Sequence, residues 1–143
     1  MDVKNKRVVV TGAASGIGKA LCEAFHQAEA KTVIAVDINL EGAQDTADSV
    51  NGIAVQANVG NEEEIINVIQ KADEHAGGTD IFCSNAGIGG VPGFFEVGAS
   101  DWQNIWDVNV QSHIFAAKHV LPQMIERGEG YLVNTSSAAG LLT

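Results

Sequence analysis

Long apolar runs, cysteine and positive charge are all scarce in this sequence, and each scarcity excludes a class of protein. No apolar run is long enough to span a bilayer, and residues 1–7 lack the apolar stretch of a secretion signal. The two cysteines, Cys22 and Cys83, have neither Cys-x-x-Cys spacing nor clustered histidines nearby, which favours buried free thiols over metal ligands. We therefore expect a cytoplasmic protein with no membrane partner and no metal.

Positive charge is the third scarcity. Eight Lys and Arg residues against eighteen Asp and Glu residues give a formal net charge of −10. A chain of this sign repels phosphate backbones at long range, so we expect no nucleic-acid partner. The remaining composition, 45% hydrophobic and 18% charged residues over 143 positions, is ordinary for one globular domain with a buried core.

Glycine is plentiful where an expected strand meets an expected helix. The β-branched run of residues 8–11 stops at Gly12, and an amphipathic helical pattern begins a few residues later. Gly12 permits a sharp turn. Gly16 and Gly18 remove side chains where a pyrophosphate approaches the backbone and where the helix lies close to the sheet. The N–H groups of the first helical turn then face the anion, so the stretch predicts a bound nucleotide.

An acidic residue further along the chain narrows the kind of nucleotide site. Asp37 ends the second apolar run, nineteen residues beyond Gly18, as a dinucleotide-binding unit requires. A Walker-type P-loop is the obvious competitor, because Lys19 follows Gly18. That loop needs glycine at position 13 and a hydroxyl residue at position 20, yet both positions are alanine. The P-loop interpretation is rejected.

Five apolar runs alternate with helix-length segments, which predicts an α/β fold. The runs are rich in apolar residues, as expected for parallel strands covered on both faces. Right-handed crossovers place helices on both faces of a doubly wound, Rossmann-like parallel sheet, for which we predict the strand order 3-2-1-4-5. Because that order reverses between the first and fourth strands, the ligand should bind beyond their carboxyl ends. The predicted strands are residues 8–11, 32–36, 53–57, 80–84 and 131–135.

Polar residues mark the starts of the first three helices. The first is predicted from about Ser15 to Glu29, with an apolar residue at every fourth position. Asn39 and Asn61 are predicted N-caps of the second and third helices. Three glutamates follow Asn61, and we interpret them as a helix start, where negative charge meets the positive end of the dipole, rather than as a metal site.

A glycine-rich loop and a long helix follow the fourth strand. Residues 88–99 contain four glycines and one proline, which indicates a loop over a site. Ser100 and Gln103 have the form of a capping box that opens the helix. Pro122 is expected to kink this helix before Gly128 ends it.

Several motifs, in order along the whole chain, resemble those of the short-chain dehydrogenase/reductase family. Residues 11–18 resemble the family's Thr-Gly-x-x-x-Gly-x-Gly cofactor motif, and residues 85–87 resemble the end of its Asn-Asn-Ala-Gly motif. Residues 107–110 resemble its long-helix segment, and residues 133–140 resemble the strand and turn that carry its catalytic serine. The chain is thus expected to be one dinucleotide-binding domain spanning residues 1–143.

The resemblance implies specific roles for individual residues. The catalytic serine is Ser137, with Ser136 as the alternative, and its hydroxyl would hydrogen-bond the substrate's carbonyl or hydroxyl. Asn109 would help to hold a water in the proton path. The cofactor-binding residues implied are Gly12, Ser15, Gly16, Ile17, Gly18, Asp37, Asn58, Val59, Asn85, Ala86 and Gly87.

The sequence departs from the family's pattern in three places. Ser84 stands where the family has the first asparagine of its motif, and Asn58 stands where an aspartate often meets the adenine. Asn58 can still accept a hydrogen bond from the adenine amino group. The family's Tyr-x-x-x-Lys pair is absent from these 143 residues, since Tyr131 is the only tyrosine and Thr135 stands four residues after it.

The expected function is hydride transfer between NAD and a small alcohol or carbonyl substrate, carried out by a complete enzyme from which this chain derives. NAD is favoured over NADP because Asp37 repels a 2′-phosphate, and no Arg or Lys stands beside it. The alternatives are a non-catalytic NAD-binding module and an interaction protein on the same fold. We interpret the chain as an incomplete fragment whose exposed apolar surface leads to a homo-oligomer.

Overall fold

The computed structural model describes residues 2–89 and 95–141, and five parallel strands form its centre. The elements in chain order are β1 (Arg7–Thr11), α1 (Gly16–Gln27), β2 (Thr32–Asp37), α2 (Leu40–Ser49), β3 (Ile53–Gln56), α3 (Glu62–Ala76), β4 (Ile81–Ser84), α4 (Ala99–Trp106), a π-helical segment (Asp107–Gln111), α5 (Ser112–Arg127), β5 (Tyr131–Asn134) and a 3-10 turn (Ala138–Gly140). The five predicted strands and the first three predicted helices are present, with boundaries shifted by a few residues at most, whereas the predicted fourth helix is divided.

The strands form one parallel sheet in the order β3-β2-β1-β4-β5, which confirms the predicted order. Val8 of β1 lies opposite Val33 of β2 and Ile81 of β4, so the central strand is paired on both sides. β5 pairs with β4 and forms one edge of the sheet. The carboxyl ends of β1 and β4 meet where the order reverses, as the ligand hypothesis requires.

Alternate side chains of the strands pack against different helices. Val9 and Phe82 lie in one apolar cluster with residues of α3 and α5, whereas Val8 and Cys83 lie in a second cluster with residues of α1 and α2. Successive strand residues point to opposite faces. This explains why the strands are nearly continuous apolar runs, and it places helices on both faces.

Both cysteines are buried free thiols, as the sequence predicted. Cys22 of α1 and Cys83 of β4 belong to the same apolar cluster and are 0% and 1% exposed. Burial raises the pKa of each thiol to about 12. Neither group is therefore ionised near neutral pH.

The predicted N-caps of α2 and α3 are confirmed. The Asn39 side chain accepts a hydrogen bond from Gly42 N at 3.3 Å, and the Asn61 side chain accepts one from Glu63 N at 3.0 Å. The side-chain oxygens of these two asparagines satisfy helix N–H groups that have no partner within the helix.

Gly128 ends α5, as predicted, and adopts the left-handed conformation with φ of 72°.

The predicted start of the fourth helix was wrong. The helix begins at Ala99 rather than after Ser100, and Gly98 is the N-cap. Asp101, three residues beyond Gly98, accepts a hydrogen bond from Gly98 N at 2.9 Å, so its carboxylate takes the role assigned to Gln103. The single predicted helix is also interrupted by the π-helical segment, and Pro122 lies inside α5. Of the predicted loop, residues 90–94, including Phe94, lie outside the described residues.

Candidate cofactor site

A cleft of about 310 Å³ opens at the carboxyl edge of the sheet. The residues that follow β1, β2, β3 and β4 form its floor, and α4 with the π-helical segment forms one wall. It therefore lies at the predicted reversal of strand order. Its lining residues are Gly12, Asp37, Ile38, Ala57, Asn58, Val59, Ala86, Gly87, Ile88, Asn104 and Val108.

The glycine turn is tightly packed at two positions and open at a third. A Cβ on Gly12, which has φ of 70°, would lie 2.8 Å from Ala86 Cα. A Cβ on Gly18 would lie only 1.9 Å from Gly12 O, so only glycine lets α1 pack this closely on the end of β1. Gly16 has φ of 53°, and no described atom lies within 4 Å of its Cβ direction. The turn therefore combines close helix-to-sheet packing with an open backbone approach, as a pyrophosphate requires.

Thr11 joins the end of β1 to the segment after β4. Its buried hydroxyl donates to Cys83 O at 3.2 Å and accepts from Asn85 N at 2.9 Å and Ala86 N at 3.1 Å. The hydroxyl therefore satisfies backbone groups of β4 and of the segment that leaves it. This fixes the two polypeptide segments that flank the central part of the cleft.

Asn85 continues the same network toward β5. Its Nδ2 donates to Thr11 O at 3.0 Å, and its Oδ1 accepts from Thr135 Oγ1 at 3.1 Å. Three strand ends are thereby linked across the carboxyl edge. Ser136 and Ser137 follow Thr135 directly and are exposed. Ser137 O accepts from Gly140 N at 3.1 Å, and the proposed catalytic role of its hydroxyl stays a prediction.

Asp37 is held against the glycine turn. One carboxylate oxygen accepts from Ala14 N at 2.9 Å, and the other accepts from Asn39 N at 3.0 Å. The carboxylate is therefore fixed between β1 and α2 while it lines the cleft. A carboxylate oxygen has more than one lone pair, so both oxygens can accept further hydrogen bonds from a ligand.

The turn after β3 contributes Asn58 and Val59. Asn58 Oδ1 accepts from Gly60 N at 3.0 Å, which closes the turn locally. The backbone N–H of Asn58 donates to Glu64 Oε2 at 2.7 Å, and Glu64 belongs to the first turn of α3. Two separate contacts therefore fix this part of the cleft.

Asn109 lies in the π-helical segment, and its side chain forms hydrogen bonds with the backbone of the segment that follows β4. Its Oδ1 accepts from Ile88 N at 2.9 Å, and its Nδ2 donates to Ile88 O at 3.0 Å. A Cβ on Gly87 would lie 3.0 Å from Asn109 Oδ1, so the small residue permits this approach. The side chain of Asn109 therefore holds the backbone of Ile88, which lines the cleft.

The cleft brings together six of the predicted cofactor residues and leaves five outside its lining. Lining it are Gly12, Asp37, Asn58, Val59, Ala86 and Gly87. Outside the lining are Ser15, Gly16, Ile17, Gly18 and Asn85, which form the turn and helix start beside it or brace it. Ile88, which also lines the cleft, belongs to the loop that the sequence predicted over a site. The sequence did not point to Ile38, Ala57, Asn104, Val108 and Glu64 as site residues. For Asn104 and Val108 the four-residue spacing on a helix was an available signal, because it places both on one face.

Charged side chains are scarce in the described lining of the cleft. Among its described lining residues, Asp37 is the one charged group, and none is Lys or Arg. Within residues 2–89 and 95–141, no cluster of three or more His, Cys, Asp or Glu side chains is arranged to hold a metal ion. The same part of the chain contains no helix that is long and apolar enough to cross a membrane.

The parallel sheet, the glycine turn and the acid at the end of β2 are features of the Rossmann-like class of folds. Comparison with known proteins makes the assignment narrower. The family model described as short chain dehydrogenase matches residues 6–143. The chain belongs to the short-chain dehydrogenase family, and relatives that it matches are named oxidoreductases and dehydrogenases.

Two curated relatives and two solved structures illustrate the similarity. The chain is 34% identical over 143 residues to glucose 1-dehydrogenase 2 of Bacillus subtilis, covering 95% of this chain and 55% of that protein. It is 34% identical to an uncharacterized oxidoreductase of Staphylococcus aureus strain USA300, with 95% and 60% covered. A short chain dehydrogenase/reductase from Burkholderia phymatum in complex with NAD matches with a TM-score of 0.94 and 28% identity, covering 100% of this chain and 53% of that one. A short-chain dehydrogenase from Streptomyces avermitilis matches with a TM-score of 0.88 and 32% identity, covering 100% of this chain and 53% of that one.

The chain therefore spans slightly more than half the length of the relatives it matches. The part of the chain that the family model matches contains the glycine turn, Asp37 at the end of β2, and residues 133–140 with Ser136 and Ser137.

Proposed function

We propose that this chain is the NAD-binding part, in a single domain, of an oxidoreductase that transfers a hydride between NAD and an alcohol or carbonyl substrate. The observation that carries this proposal is the glycine turn, where Gly12 and Gly18 have no room for a Cβ and the space over Gly16 is open. The Burkholderia phymatum relative, which was solved with NAD, supports a nicotinamide dinucleotide as the ligand. When bound, that group supplies the nicotinamide carbon that gives or takes the hydride.

The preference for NAD over NADP rests on Asp37. Its carboxylate is fixed by Ala14 N and Asn39 N at the end of β2, where it can accept hydrogen bonds from ribose hydroxyls. A 2′-phosphate placed beside this carboxylate would be repelled. Among the described lining residues there is also no Lys or Arg to compensate for the added charge.

The Asp37→Ala variant tests this proposal. Wild-type protein should bind NAD more tightly than NADP in isothermal titration calorimetry, and the variant should lose most of that discrimination because the repulsion is removed. A matched control is Asp45→Ala, which removes an exposed acid on the neighbouring helix α2. Unchanged discrimination in Asp37→Ala, or an equal loss in both variants, would contradict the assignment.

For the chemical step we propose that the Ser137 hydroxyl hydrogen-bonds the substrate oxygen and that Asn109 helps to organise the proton path. Support comes from the network that places the end of β5 beside Asn85 and from the two bonds between Asn109 and Ile88. Tyr131 cannot supply the proton, since it begins β5 and lies opposite Ile81 at the amino end of the sheet. We therefore expect these 143 residues to bind NAD but to turn over little or no substrate.

We further propose that the protein self-associates and resides in the cytoplasm. Trp102, Trp106 and Ile125 on helices α4 and α5 are all more than half exposed, which is surface that association would bury. Two reduced, buried thiols suit a reducing compartment. Fractionation of cells that produce the protein would test the location, and recovery in an oxidising compartment would contradict it.

A further inference from the structure

The three glutamates that open α3 are neighbours in sequence but have different partners. Glu62 accepts hydrogen bonds from Lys118 Nζ and His119 Nε2, both at 2.7 Å, which tie α3 to α5. Glu63 is exposed. Glu64 instead turns toward the sheet, where its Oε2 accepts the hydrogen bond from Asn58 N at 2.7 Å. The role of a helix start therefore describes all three glutamates but does not explain the contact made by Glu64.

The turn that Glu64 contacts is fixed from several sides. Asn58 Oδ1 accepts from Gly60 N at 3.0 Å, and Asn58 O accepts from Asn61 N at 3.0 Å. Gly60 packs against the π-helical segment, because a Cβ added there would lie 3.2 Å from Asp107 Cβ. Glu64 supplies the hydrogen bond that holds the backbone at the first residue of this turn. Its charge makes that bond stronger than a neutral one.

The turn forms the part of the cleft beyond Asp37. Sheet order places Gly12 just after β1, Asp37 at the end of β2 and residues 57–59 just after β3, so the cleft floor runs across three strand ends in that sequence. Ala57, Val59 and the facing Val108 are apolar, whereas Asn58 and Asn104 carry amides. Apolar walls with a few amide groups suit a flat, heteroaromatic base that has a hydrogen-bonding edge.

We propose that Glu64 is a positioning residue for the base end of the dinucleotide. Its carboxylate holds the backbone of Asn58, which keeps Asn58 and Val59 in the shape that receives the adenine ring. This inference rests on the proposed NAD-binding function. Without the carboxylate, Asn58 N–H loses its protein partner, and the turn is less well ordered before the ligand binds. Part of the binding free energy is then spent on ordering the turn, so the affinity falls.

Variants at positions 63 and 64 test the proposal in the 143-residue chain. The probes are AMP, which carries the base end, nicotinamide mononucleotide, which does not, and NAD itself. Glu64→Ala should weaken AMP and NAD by the same factor, about tenfold, which corresponds to about 1.4 kcal/mol. It should leave nicotinamide mononucleotide unaffected. Glu64→Gln, which keeps an acceptor oxygen, should recover most of the affinity, and Glu63→Ala should match the wild type.

The outcomes separate failure of this inference from failure of the proposed function. If the wild type binds NAD and AMP but Glu64→Ala matches Glu63→Ala, or weakens nicotinamide mononucleotide equally, the positioning role is overturned. If the wild type binds neither NAD nor AMP, the proposed function itself fails. Should Glu64→Ala not fold, amide exchange in the wild type decides. Slow exchange at Asn58 N–H, slowed further by AMP, supports the proposal, and fast exchange in both states overturns it.

Discussion

At the scale of single residues, Asp80 at the amino edge of the sheet is the most heavily hydrogen-bonded carboxylate described. It accepts from Arg7 N at 2.9 Å and from Arg7 Nε at 2.7 Å, and it also contacts Arg7 Nη2. Arg127 Nη2 lies 3.8 Å from Asp80 Oδ1. Hydrogen bonds from the Arg7 side chain hold the pKa of Asp80 below its ordinary value of 3.8. Asp80 is 8% exposed, so these contacts are largely shielded from water.

Asp80→Ala should lower the free energy of unfolding by about 2–4 kcal/mol at neutral pH, because the partly buried Arg7 guanidinium loses the carboxylate that neutralises its charge. A lowered folded-state pKa stabilises the protein fully above the unfolded-state pKa and ceases to do so as pH falls through the folded value. The wild type should therefore lose stability below about pH 4, and the variant should lose less over that range.

Urea titrations from pH 7 to pH 2 measure both effects. Glu129→Ala is a matched control, since Glu129 pairs with Lys6 at 2.7 Å but is 57% exposed, and its loss should cost less than about 1 kcal/mol. Equal pH slopes for the wild type and Asp80→Ala, or equal losses for the two variants, would show that the Asp80 contacts do not stabilise the fold.

Positions in the cleft that follow from chain order were predictable, whereas contacts that need a spatial neighbour were not. Gly12 and Asp37 were expected at the cleft, and they line it, because both stand at the carboxyl ends of recognisable strands. The contact of Glu64 with Asn58 N was not found, because an acidic first turn is sufficiently explained by the helix dipole. Nothing in the sequence specifies which of three adjacent glutamates turns toward the sheet.

At the scale of elements, two glycines of the same turn should differ in how much stability is lost when each is replaced by alanine. Gly18→Ala should destabilise the protein by about 2–3 kcal/mol, because its Cβ would clash with Gly12 O at 1.9 Å and separate α1 from β1. Gly16→Ala should cost about 1 kcal/mol, from its positive φ alone. Thermal unfolding of both variants checks the order, and a Gly16→Ala loss as large as that of Gly18→Ala would contradict the packing argument.

The element pattern was predictable because parallel strands covered on both faces are apolar throughout. Asn39 and Asn61 were correct as caps because each stands just before a helical pattern. The prediction of Ser100 as the N-cap was wrong because the helix starts earlier, with Gly98 as its N-cap. Asp101, in the first turn of that helix, accepts the hydrogen bond from Gly98 N. The π-helical segment, Asp107–Gln111, could not be predicted, because an inserted residue in a helix leaves almost no trace in a short apolar periodicity.

At the scale of the whole molecule, the exposed apolar side chains of α4, α5 and β5 are the observation behind the proposed self-association. Trp102, Trp106 and Tyr131 are each about half exposed, and Ile125 is 74% exposed. β5 is the sheet edge, and apolar surface next to an open edge favours association.

Sizing chromatography at micromolar concentrations should therefore show a dimer or a larger species. Ile125→Lys should shift the distribution toward monomer, because a charge on the apolar face opposes its burial. Glu126→Lys, on an exposed neighbouring position of the same helix, should shift it less. A monodisperse monomer of the wild type across this range would contradict self-association.

Binding of NAD at the carboxyl edge of the sheet, which the proposed function requires, can be observed in an amide chemical-shift map of the ¹⁵N-labelled protein titrated with NAD. The largest shifts should fall at residues 12–18, at Asp37, at residues 58–59 and at residues 85–88, with the amino edge around Arg7 and Asp80 unchanged. Absence of shifts at saturating NAD, or shifts centred on the amino edge, would contradict the account.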